Sequence, residues 1–220
     1  MKVIITGATG MVGEGVLLEC LEHPEVTEVL CVNRKPTGRS HPRLKEYIVP
    51  EFLNLGDHDE MLKGYNACFY CAGVSSLGMK EADYYRITYE TTLHFARVVL
   101  QQDPQMTFIY VSGAGTDSSE KGRIMWARVK GKTENDLMKL PFKKVYNFRP
   151  GFMKATDGQK NILSAYKYFA WMYPLLKVIF PNSVSTMKQV GLAMINAVLT
   201  GYPENIVNVR DMKALAASRT

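Results

Sequence analysis

The chain has 220 residues, of which 46% are hydrophobic and 22% charged, and its formal net charge is +6. This length suits one α/β domain, and this composition, without a long biased segment, argues against a disordered chain. The positive charge raises the alternative of a nucleic-acid binder, but the basic residues are scattered. Their densest stretches, Lys121–Lys132 and Lys139–Lys144, interleave with apolar residues, so we predict solvated faces and no nucleic-acid partner.

The apolar N-terminal run Met1–Ile5 superficially resembles the start of a signal peptide. It is cut at once by Thr6–Gly10 and has no small-residue cleavage site, so we expect a cytoplasmic protein. The segment Tyr166–Phe180 is rich in aromatic residues, but two lysines and a proline interrupt it, and it is too short to span a bilayer. We therefore predict no membrane partner.

Short β-branched runs alternate with amphipathic stretches along the first two thirds of the chain, which is typical of βαβ units. The predicted strands are Lys2–Thr6, Glu28–Asn33, Lys45–Val49, Ala67–Cys71, Met106–Ser112 and Lys144–Phe148. The predicted helices are Val12–Leu21, Asp59–Leu62, Glu81–Leu100 and Ile124–Met138. This order predicts the α/β class, with a Rossmann-type doubly wound parallel sheet.

A different pattern begins after residue 150. The chain shows helical stretches at Asn161–Phe180 and Ser185–Leu199, the second with Ser185 as its N-cap, then a strand at Asn205–Val209 and a helix at Met212–Ala217. No linker separates this part, so we predict a single domain over residues 1–220. Its core is residues 1–150, and residues 151–220 form a small C-terminal helical extension that acts as a pocket or lid region.

The glycines that follow the first predicted strand are spaced G-x-x-G-x-x-G. Gly7 permits a tight turn, Gly10 lets the backbone approach a pyrophosphate, and Gly13 lets the helix pack close to the strand. The helix start also offers free N–H groups and a positive dipole end to phosphates. The residues predicted to bind the cofactor at this turn are Gly7, Thr9, Gly10, Met11, Val12 and Gly13.

The end of the second predicted strand indicates which dinucleotide is bound. An acidic residue at this position binds the ribose 2′-hydroxyl of NAD and repels the 2′-phosphate of NADP. The chain has Asn33, Arg34 and Lys35 there instead, and a guanidinium pairs well with phosphate. We therefore predict NADP as the cofactor, with NAD as the alternative.

The four cysteines are interpreted as small buried hydrophobic residues of a reduced compartment. Cys68 and Cys71 have CxxC spacing, but they lie in a predicted strand, where residues three apart point to opposite faces. No second ligand pair accompanies them, and the histidines are scattered, so we predict no metal site.

With the glycine turn, four later motifs make the chain resemble the extended and atypical short-chain dehydrogenase/reductases, the NAD(P)-dependent epimerase/dehydratase group. These motifs are Cys71-Ala72-Gly73, Tyr110-Val111-Ser112, Trp126-Ala127-Arg128-Val129-Lys130 and Arg149-Pro150-Gly151. Within the group, Val129–Glu134 and the short C-terminal region are most similar to the Tat-interacting-protein-like oxidoreductases. The resemblance spans essentially the whole chain.

The resemblance implies roles for residues beyond the turn. It places Arg34 near the adenosine phosphate, Glu51 and Phe52 near the adenine, Ala72 and Gly73 beside the adenosine ribose, Pro150 and Gly151 near the nicotinamide, and Lys130 on the nicotinamide ribose. It also allows a homodimer through Glu81–Leu100 and Ile124–Met138. The segment Asn161–Phe180 lines a substrate pocket in relatives, although packing on the sheet or on a second subunit is an equal alternative.

The catalytic pattern of the family is altered in this chain. The usual acid is a tyrosine four residues before the lysine, and that position holds Trp126, whose indole cannot shuttle a proton. One hypothesis is an oxidoreductase or epimerase acting on an unknown small molecule, with Lys130 and Ser112 as catalytic residues. The other hydroxyls considered for this role are Thr116, Tyr84, Tyr85 and Tyr89. The second hypothesis is a non-catalytic redox sensor or protein-interaction module.

Overall fold

The computed structural model describes residues 1–56, 59–162 and 173–218. The strands within them are β1 (Lys2–Thr6), β2 (Glu28–Asn33), β3 (Leu44–Ile48), β4 (Ala67–Tyr70), β5 (Thr107–Val111), β6 (Lys144–Arg149), β7 (Phe152–Lys154), β8 (Val184–Thr186) and β9 (Ile206–Asn208). The α-helices are α1 (Met11–Glu22), α2 (Glu81–Tyr85), α3 (Thr91–Gln102), α4 (Met125–Leu137), α5 (Tyr173–Ile179), α6 (Met187–Leu199) and α7 (Val209–Ala217). Single 3₁₀ turns lie at Phe52–Asn54 and Glu60–Leu62.

Seven strands form one parallel sheet in the order β3-β2-β1-β4-β5-β6-β9. The central strands are apolar on both faces, as parallel strands covered by helices must be, and Val3, Ile4 and Ile5 are fully buried. The strand order reverses between β1 and β4, which creates a crevice at their carboxyl ends. The predicted Rossmann-type α/β fold is confirmed.

Two apolar layers cover the sheet. One layer joins α1, α6 and α7, and the other joins α3, the end of α4 and the 3₁₀ turn at Phe52–Asn54. Cys68 belongs to the second layer and Cys71 packs against the first, so the two thiols point to opposite faces, as predicted. All four cysteines are free.

Each strand predicted within residues 1–150 agrees with the structure to within one residue at either end; β5, for example, is one residue shorter at both ends than the predicted Met106–Ser112. The predicted single helix Glu81–Leu100 is divided in two by a turn of π-helix at Arg86–Glu90. Such turns are inserted where a residue does not fit the 3.6-residue repeat, and they shift the helix faces on either side of them.

The C-terminal region corrects several expectations. Ser185 lies inside β8 and does not cap the following helix; Thr186 is the N-cap and forms a capping box with Gln189. The short parallel pair β7 and β8 was not predicted, while the predicted last strand is present as β9 and extends the main sheet. Of the predicted helix Asn161–Phe180, Tyr173–Ile179 form α5, residues 161, 162 and 180 are not helical, and residues 163–172 lie outside the described residues. Tyr166, Phe169, Trp171 and Met172 lie outside the described residues.

Within the described ranges no helix is long and apolar enough to cross a bilayer. In the same ranges no three histidine, cysteine, aspartate or glutamate side chains are grouped so that they could hold a metal ion.

Candidate functional site

The glycine turn between β1 and α1 leaves no room for a side chain at two of its glycines. Gly7 has a φ of +70°, and a Cβ placed on it would lie 2.7 Å from the backbone of Ala72. A Cβ on Gly13 would lie 2.2 Å from the carbonyl oxygen of Gly7, whereas one on Gly10 would make an ordinary contact at 3.4 Å. Glycine is therefore required at Gly7 and Gly13 for packing, while Gly10 leaves open space above the turn.

The first turn of α1 presents unpaired N–H groups beside these glycines. Gly10 is the N-cap, no side chain caps it, and the amide of Glu14 donates to the carbonyl of Gly10 at 2.9 Å. In the described part of the chain, no protein acceptor pairs with the amides of Met11, Val12 and Gly13. Free N–H groups at a helix start attract anions, so this turn has the features of a phosphate site.

A cleft of about 570 Å³ opens at the carboxyl ends of β1, β2 and β4. The residues predicted to bind the cofactor that line it are Gly7, Thr9, Gly10, Arg34, Glu51, Phe52, Ala72 and Gly73. The predicted site residues that do not line it are Met11, Val12, Gly13, Ser112, Lys130, Pro150 and Gly151. The cleft therefore gathers the residues assigned to the adenosine together with Gly7, Thr9 and Gly10 of the predicted glycine turn.

Charged side chains of both signs surround this cleft. Arg34 follows β2 directly, lines the cleft and is exposed, and Arg86 lies on another wall. Glu51 and Asp83 also line the cleft, but neither stands at the end of β2, where a carboxylate would meet the ribose 2′ position. No acidic residue therefore stands at the end of β2.

Asn33 is a site residue that the sequence analysis did not assign. It is the last residue of β2, it is buried, and its Oδ1 accepts the amide N–H of Ala8 at 2.9 Å. This bond holds the glycine turn against the second strand. An asparagine at the end of β2 was visible in the sequence, but its partner 25 residues earlier was not.

Lys130 lies outside the cleft, on α4 beside the end of β5. Its Nζ donates a hydrogen bond to the carbonyl oxygen of Ser112. Burial lowers the pKa of the Lys130 ammonium to about 8, and the nearby Glu134 carboxylate opposes that shift. A lysine with this pKa exchanges its proton readily near neutral pH.

The small hydroxyl groups near Lys130 are bonded to backbone carbonyls. The Ser112 hydroxyl donates to the carbonyl of Phe148 at 3.1 Å, and the Thr116 hydroxyl donates to that of Gly113 at 2.8 Å. Each oxygen can still accept a hydrogen bond, but each proton is already engaged.

Trp126 stands one helical turn before Lys130 on α4. It is half-buried, and its ring end lies 3.4 Å from the Cβ position of Gly115, so it packs over the loop that follows β5. Residues four apart share a helix face, which places the indole on the side of α4 that carries Lys130. No hydroxyl occupies that place.

The three tyrosines considered as substitute acids are engaged elsewhere. Tyr84 is buried, and burial raises the pKa of its phenol. Tyr89 donates to Asp136 at 2.7 Å; burial and this bond raise its pKa to about 12. Tyr85 packs against Tyr89 in a tilted arrangement with 4.6 Å between ring centroids. Within the described residues, none of these tyrosines is hydrogen-bonded to Lys130, whose Nζ donates to Ser112.

A buried ion pair supports this second part of the site. Glu134 is fully buried on α4, and Arg149 at the end of β6 donates to both of its carboxylate oxygens and to the Ser118 hydroxyl.

The two residues that follow Arg149 along the chain, Pro150 and Gly151, are fixed by backbone contacts. The carbonyl of Pro150 accepts the amide of Ala114 at 2.8 Å. A Cβ on Gly151 would lie 2.1 Å from the carbonyl oxygen of Ser183.

A second buried carboxylate fastens the C-terminal region to the phosphate-binding helix. Glu14 is 1% exposed and accepts hydrogen bonds from the Arg39 guanidinium and from the amides of Lys160 and Asn161. Burial alone would raise the pKa of Glu14, but these bonds outweigh it and the pKa is lowered. Gln159 adds a bond to the carbonyl of Met11 at 2.8 Å. Sequence reasoning missed this network because its members are far apart along the chain.

Comparison with known proteins identifies the family. The profile of the NAD dependent epimerase/dehydratase family matches residues 3–122, which include the glycine turn and most of the cleft. The chain belongs to this family. The resemblance to the epimerase/dehydratase group is therefore confirmed.

Curated relatives of this epimerase/dehydratase-family chain carry mitochondrial names. "Protein fmp52-1, mitochondrial" of Aspergillus terreus is 25% identical over 173 residues, covering 74% of this chain and 72% of its own. "Protein fmp52, mitochondrial" of Aspergillus clavatus is 26% identical over 170 residues, covering 73% and 68%. The prediction of a cytoplasmic protein is wrong by this comparison, because these names place the relatives in mitochondria.

Solved structures of nucleotide-sugar enzymes share the fold of this family member. "MoeE5 in complex with UDP-glucose and NAD" superposes with a TM-score of 0.68 at 14% identity, covering 99% of this chain and 81% of that one. UDP-glucuronic acid 4-epimerase from Bacillus cereus in complex with NAD gives 0.69 at 12% identity, covering 95% and 76%. These likenesses establish the architecture.

Proposed function

We propose that this chain is an NADP(H)-binding oxidoreductase or epimerase-like protein, and that within its family it groups with the Tat-interacting-protein-like oxidoreductases. The observation that carries the proposal is the glycine turn, whose free helix-start amides open beside a cleft with Arg34 at its wall. The cleft fits a dinucleotide because Gly10 leaves room above the turn and no carboxylate ends β2. NAD is the alternative cofactor.

In this proposal the predicted residues hold different parts of the cofactor. The amides of α1 hold the pyrophosphate, and the Arg34 guanidinium pairs with the 2′-phosphate. Glu51, Phe52, Ala72 and Gly73 enclose the adenosine. When bound, the nicotinamide supplies or accepts a hydride, so its substrate is a small molecule with a carbonyl or alcohol group.

Lys130 carries the proton chemistry of the proposed reaction. Its ammonium is anchored on the carbonyl of Ser112, and burial brings its pKa to about 8. A group with this pKa delivers a proton at neutral pH more readily than an ordinary lysine. The Ser112 hydroxyl donates its hydrogen bond to the carbonyl of Phe148, so toward the substrate it acts as an acceptor that orients the molecule. Trp126 occupies the place of the usual tyrosine acid.

A second candidate function is a non-catalytic module that senses nucleotide occupancy. One observation favours it: the protons of Ser112 and Thr116 are bonded to backbone, and the indole of Trp126 cannot replace a phenol. Glu14 gives such a module a means of response, because it joins the helix that holds the phosphates to the segment around Lys160.

Fluorescence titration of NADPH and NADH against three proteins tests the proposal. They are the wild type, Arg34→Ala and the matched control Lys35→Ala, which removes a neighbouring exposed cation that does not line the cleft. We expect NADPH to bind wild type more tightly than NADH. Because charge-assisted bonds to phosphate are strong, Arg34→Ala should weaken NADPH about tenfold or more. Lys35→Ala should leave both affinities within about twofold.

Failure of both nucleotides to bind the wild type would overturn the proposed function. Equal affinities that Arg34→Ala leaves unchanged would overturn the NADP preference alone. Consumption of NADPH is then followed against a panel of aldehydes and ketones. Turnover that Lys130→Met abolishes supports the enzyme, whereas tight binding with no turnover on any substrate supports the sensor.

A further inference from the structure

Helix α5 presents a group of apolar side chains to the surface. Leu175, Val178, Ile179 and Phe180, on the helix and directly after it, are exposed by 55%, 79%, 54% and 55%. The first three are three and four residues apart, so they share one face of the helix. None of the four lines the cleft. We call these four residues the α5 patch, and exposed apolar groups of this kind mark places where a protein meets another molecule or a membrane.

Lysines surround the α5 patch. Lys177 is exposed on the same helix, and Lys213 of α7 donates a hydrogen bond to the carbonyl of Pro181. Lys154 of β7 lies over the ring of Tyr173, with its Nζ 5.8 Å from the ring centroid. Burial and the nearby charge of Lys177 lower the pKa of Lys213. These like charges repel one another, and an anion placed beside them would relieve the repulsion.

The sequence around the α5 patch supplies no opposing charge. Between Asp157 and Glu204 it contains four lysines and no aspartate, glutamate or arginine. Asp211 is the acidic residue of α7, and its carboxylate is already engaged. It accepts hydrogen bonds from the amide of Asn208 and from the hydroxyl of Tyr202, both at 2.9 Å. The apolar patch is therefore bordered by positive charge.

This charge distribution favours one kind of partner. Pairing two copies of the chain through the patch would bring Lys177 and Lys213 of one copy toward those of the other, and like charges across an interface are unfavourable. The apolar side chains project outward from a short helix, so an acidic protein would need a groove shaped to receive them. An anionic lipid surface needs no such shape, because it offers an apolar layer beneath negative headgroups.

We propose that the α5 patch attaches this protein to a membrane surface that contains anionic lipids. The apolar side chains enter the headgroup region, and Lys154, Lys177 and Lys213 pair with lipid phosphates above it. The prediction of no membrane partner rests on the length needed to span a bilayer, and contact at the surface does not require that length. The inference is independent of the proposed cofactor, because the patch does not line the cleft.

Cosedimentation with lipid vesicles tests the proposal. One set of vesicles contains phosphatidylcholine alone, and the other contains phosphatidylcholine with about a third of phosphatidylglycerol, which adds negative charge. We expect the wild type to sediment with the anionic vesicles and to stay largely in solution with the neutral ones.

Two variants separate the apolar contribution from the charge. Val178→Asn removes the most exposed apolar side chain of the patch and should weaken binding to anionic vesicles about tenfold. Lys177→Gln removes one positive charge and should weaken it about fivefold. The matched controls are Met61→Asn, at an apolar residue that is 51% exposed between β3 and β4, and Lys35→Gln, at an exposed lysine after β2. Both controls should bind within about twofold of wild type, and thermal unfolding shows that every variant is folded.

Three results would each overturn the inference. In the first, the wild type binds neither kind of vesicle; in the second, it binds both kinds equally; in the third, Val178→Asn binds as well as Met61→Asn. Analytical ultracentrifugation of the same proteins detects self-association. A wild-type dimer that Val178→Asn converts to a monomer, without binding to vesicles, would assign the patch to a second copy of the chain.

Discussion

At the glycine turn the site is shaped by backbone atoms, whereas around Lys130 it is shaped by buried charges. Gly7 and Gly13 bring β1, β4 and α1 within contact distances that no other residue permits. Near Lys130, the geometry depends on the ion pair between Glu134 and Arg149 and on hydroxyls bonded to carbonyls. The glycine-turn side thus depends on the absence of side chains at Gly7 and Gly13, and the Lys130 side depends on the pairing of buried charges.

This difference bears on function. The glycine-turn side has free helix-start amides and no acidic residue at the end of β2, while the Lys130 side has a lysine with a lowered pKa and an indole where the family resemblance implies a phenol. Under the proposed function, cofactor binding and turnover are therefore separable. A variant on one side of the site can therefore be checked for its effect on the other side.

Removing one charge of the buried pair should have the largest effect. Arg149→Met leaves Glu134 buried without its guanidinium, and we expect the free energy of unfolding to fall by about 3–5 kcal/mol in urea titration. The double variant Arg149→Met/Glu134→Leu should recover most of this loss, because no charge is stranded. NADPH affinity of the folded protein should stay within about threefold. An unchanged stability in the single variant would show that the pair is dispensable.

Placing a phenol at position 126 should raise the rate of turnover. Trp126→Tyr places a hydroxyl one turn from Lys130, and we expect carbonyl-dependent NADPH consumption to rise about a hundredfold. Trp126→Phe is the control, since it changes the ring without adding an acid. Equal rates in the two variants would contradict the view that the acid limits turnover.

Substitutions at two glycines of the turn should distinguish an effect on packing from an effect on cofactor binding. Gly13→Ala forces a Cβ against the carbonyl of Gly7, and we expect about 1–3 kcal/mol lower stability together with weaker NADPH binding. Gly10→Ala meets only an ordinary contact, so it should weaken binding with little change in stability. Gly56→Ala, with open space around its Cβ, is the control. Denaturation and titration of the three variants check this, and equal stability of Gly10→Ala and Gly13→Ala would refute it.

The pH dependence of stability should show the smallest effect. The pKa of Lys130 is lowered to about 8 by burial, from an ordinary value of 10.5. Between these values the unfolded chain holds a proton that the folded chain has released, so stability increases with pH from about 8 to about 10.5. Lys130→Met should lack this increment in urea titrations across the range. A wild type and variant with parallel pH profiles would argue against a buried ammonium.

The sequence alone was sufficient to predict those elements whose structure follows from a local residue pattern. The strands Lys2–Thr6 and Glu28–Asn33 were predicted with their observed bounds, because apolar runs bounded by glycine or polar residues are strong signals. The glycine spacing likewise located the turn. Neighbouring hydroxyls were harder to distinguish, and Ser185 was chosen as a cap in place of Thr186 because both residue types suit that role.

Features formed by distant residues were not predictable from a single sequence. The β7 and β8 strands have three residues each and pair across about thirty positions, so neither has a periodicity to detect. The pairs Glu14 with Arg39 and Glu134 with Arg149 meet only after the chain has folded. For the same reason the role of Asn33 became visible only with its contact to Ala8.

Hydrogen exchange with and without NADPH tests most directly the claim that a dinucleotide binds at the glycine turn. The account predicts slower exchange in peptides covering residues 7–16 and 71–75, because the helix-start amides gain phosphate acceptors and the opposite wall is covered. Peptides covering residues 206–215, on β9 and α7, should exchange as before. Protection confined to those C-terminal peptides, or none at saturating NADPH, would contradict it.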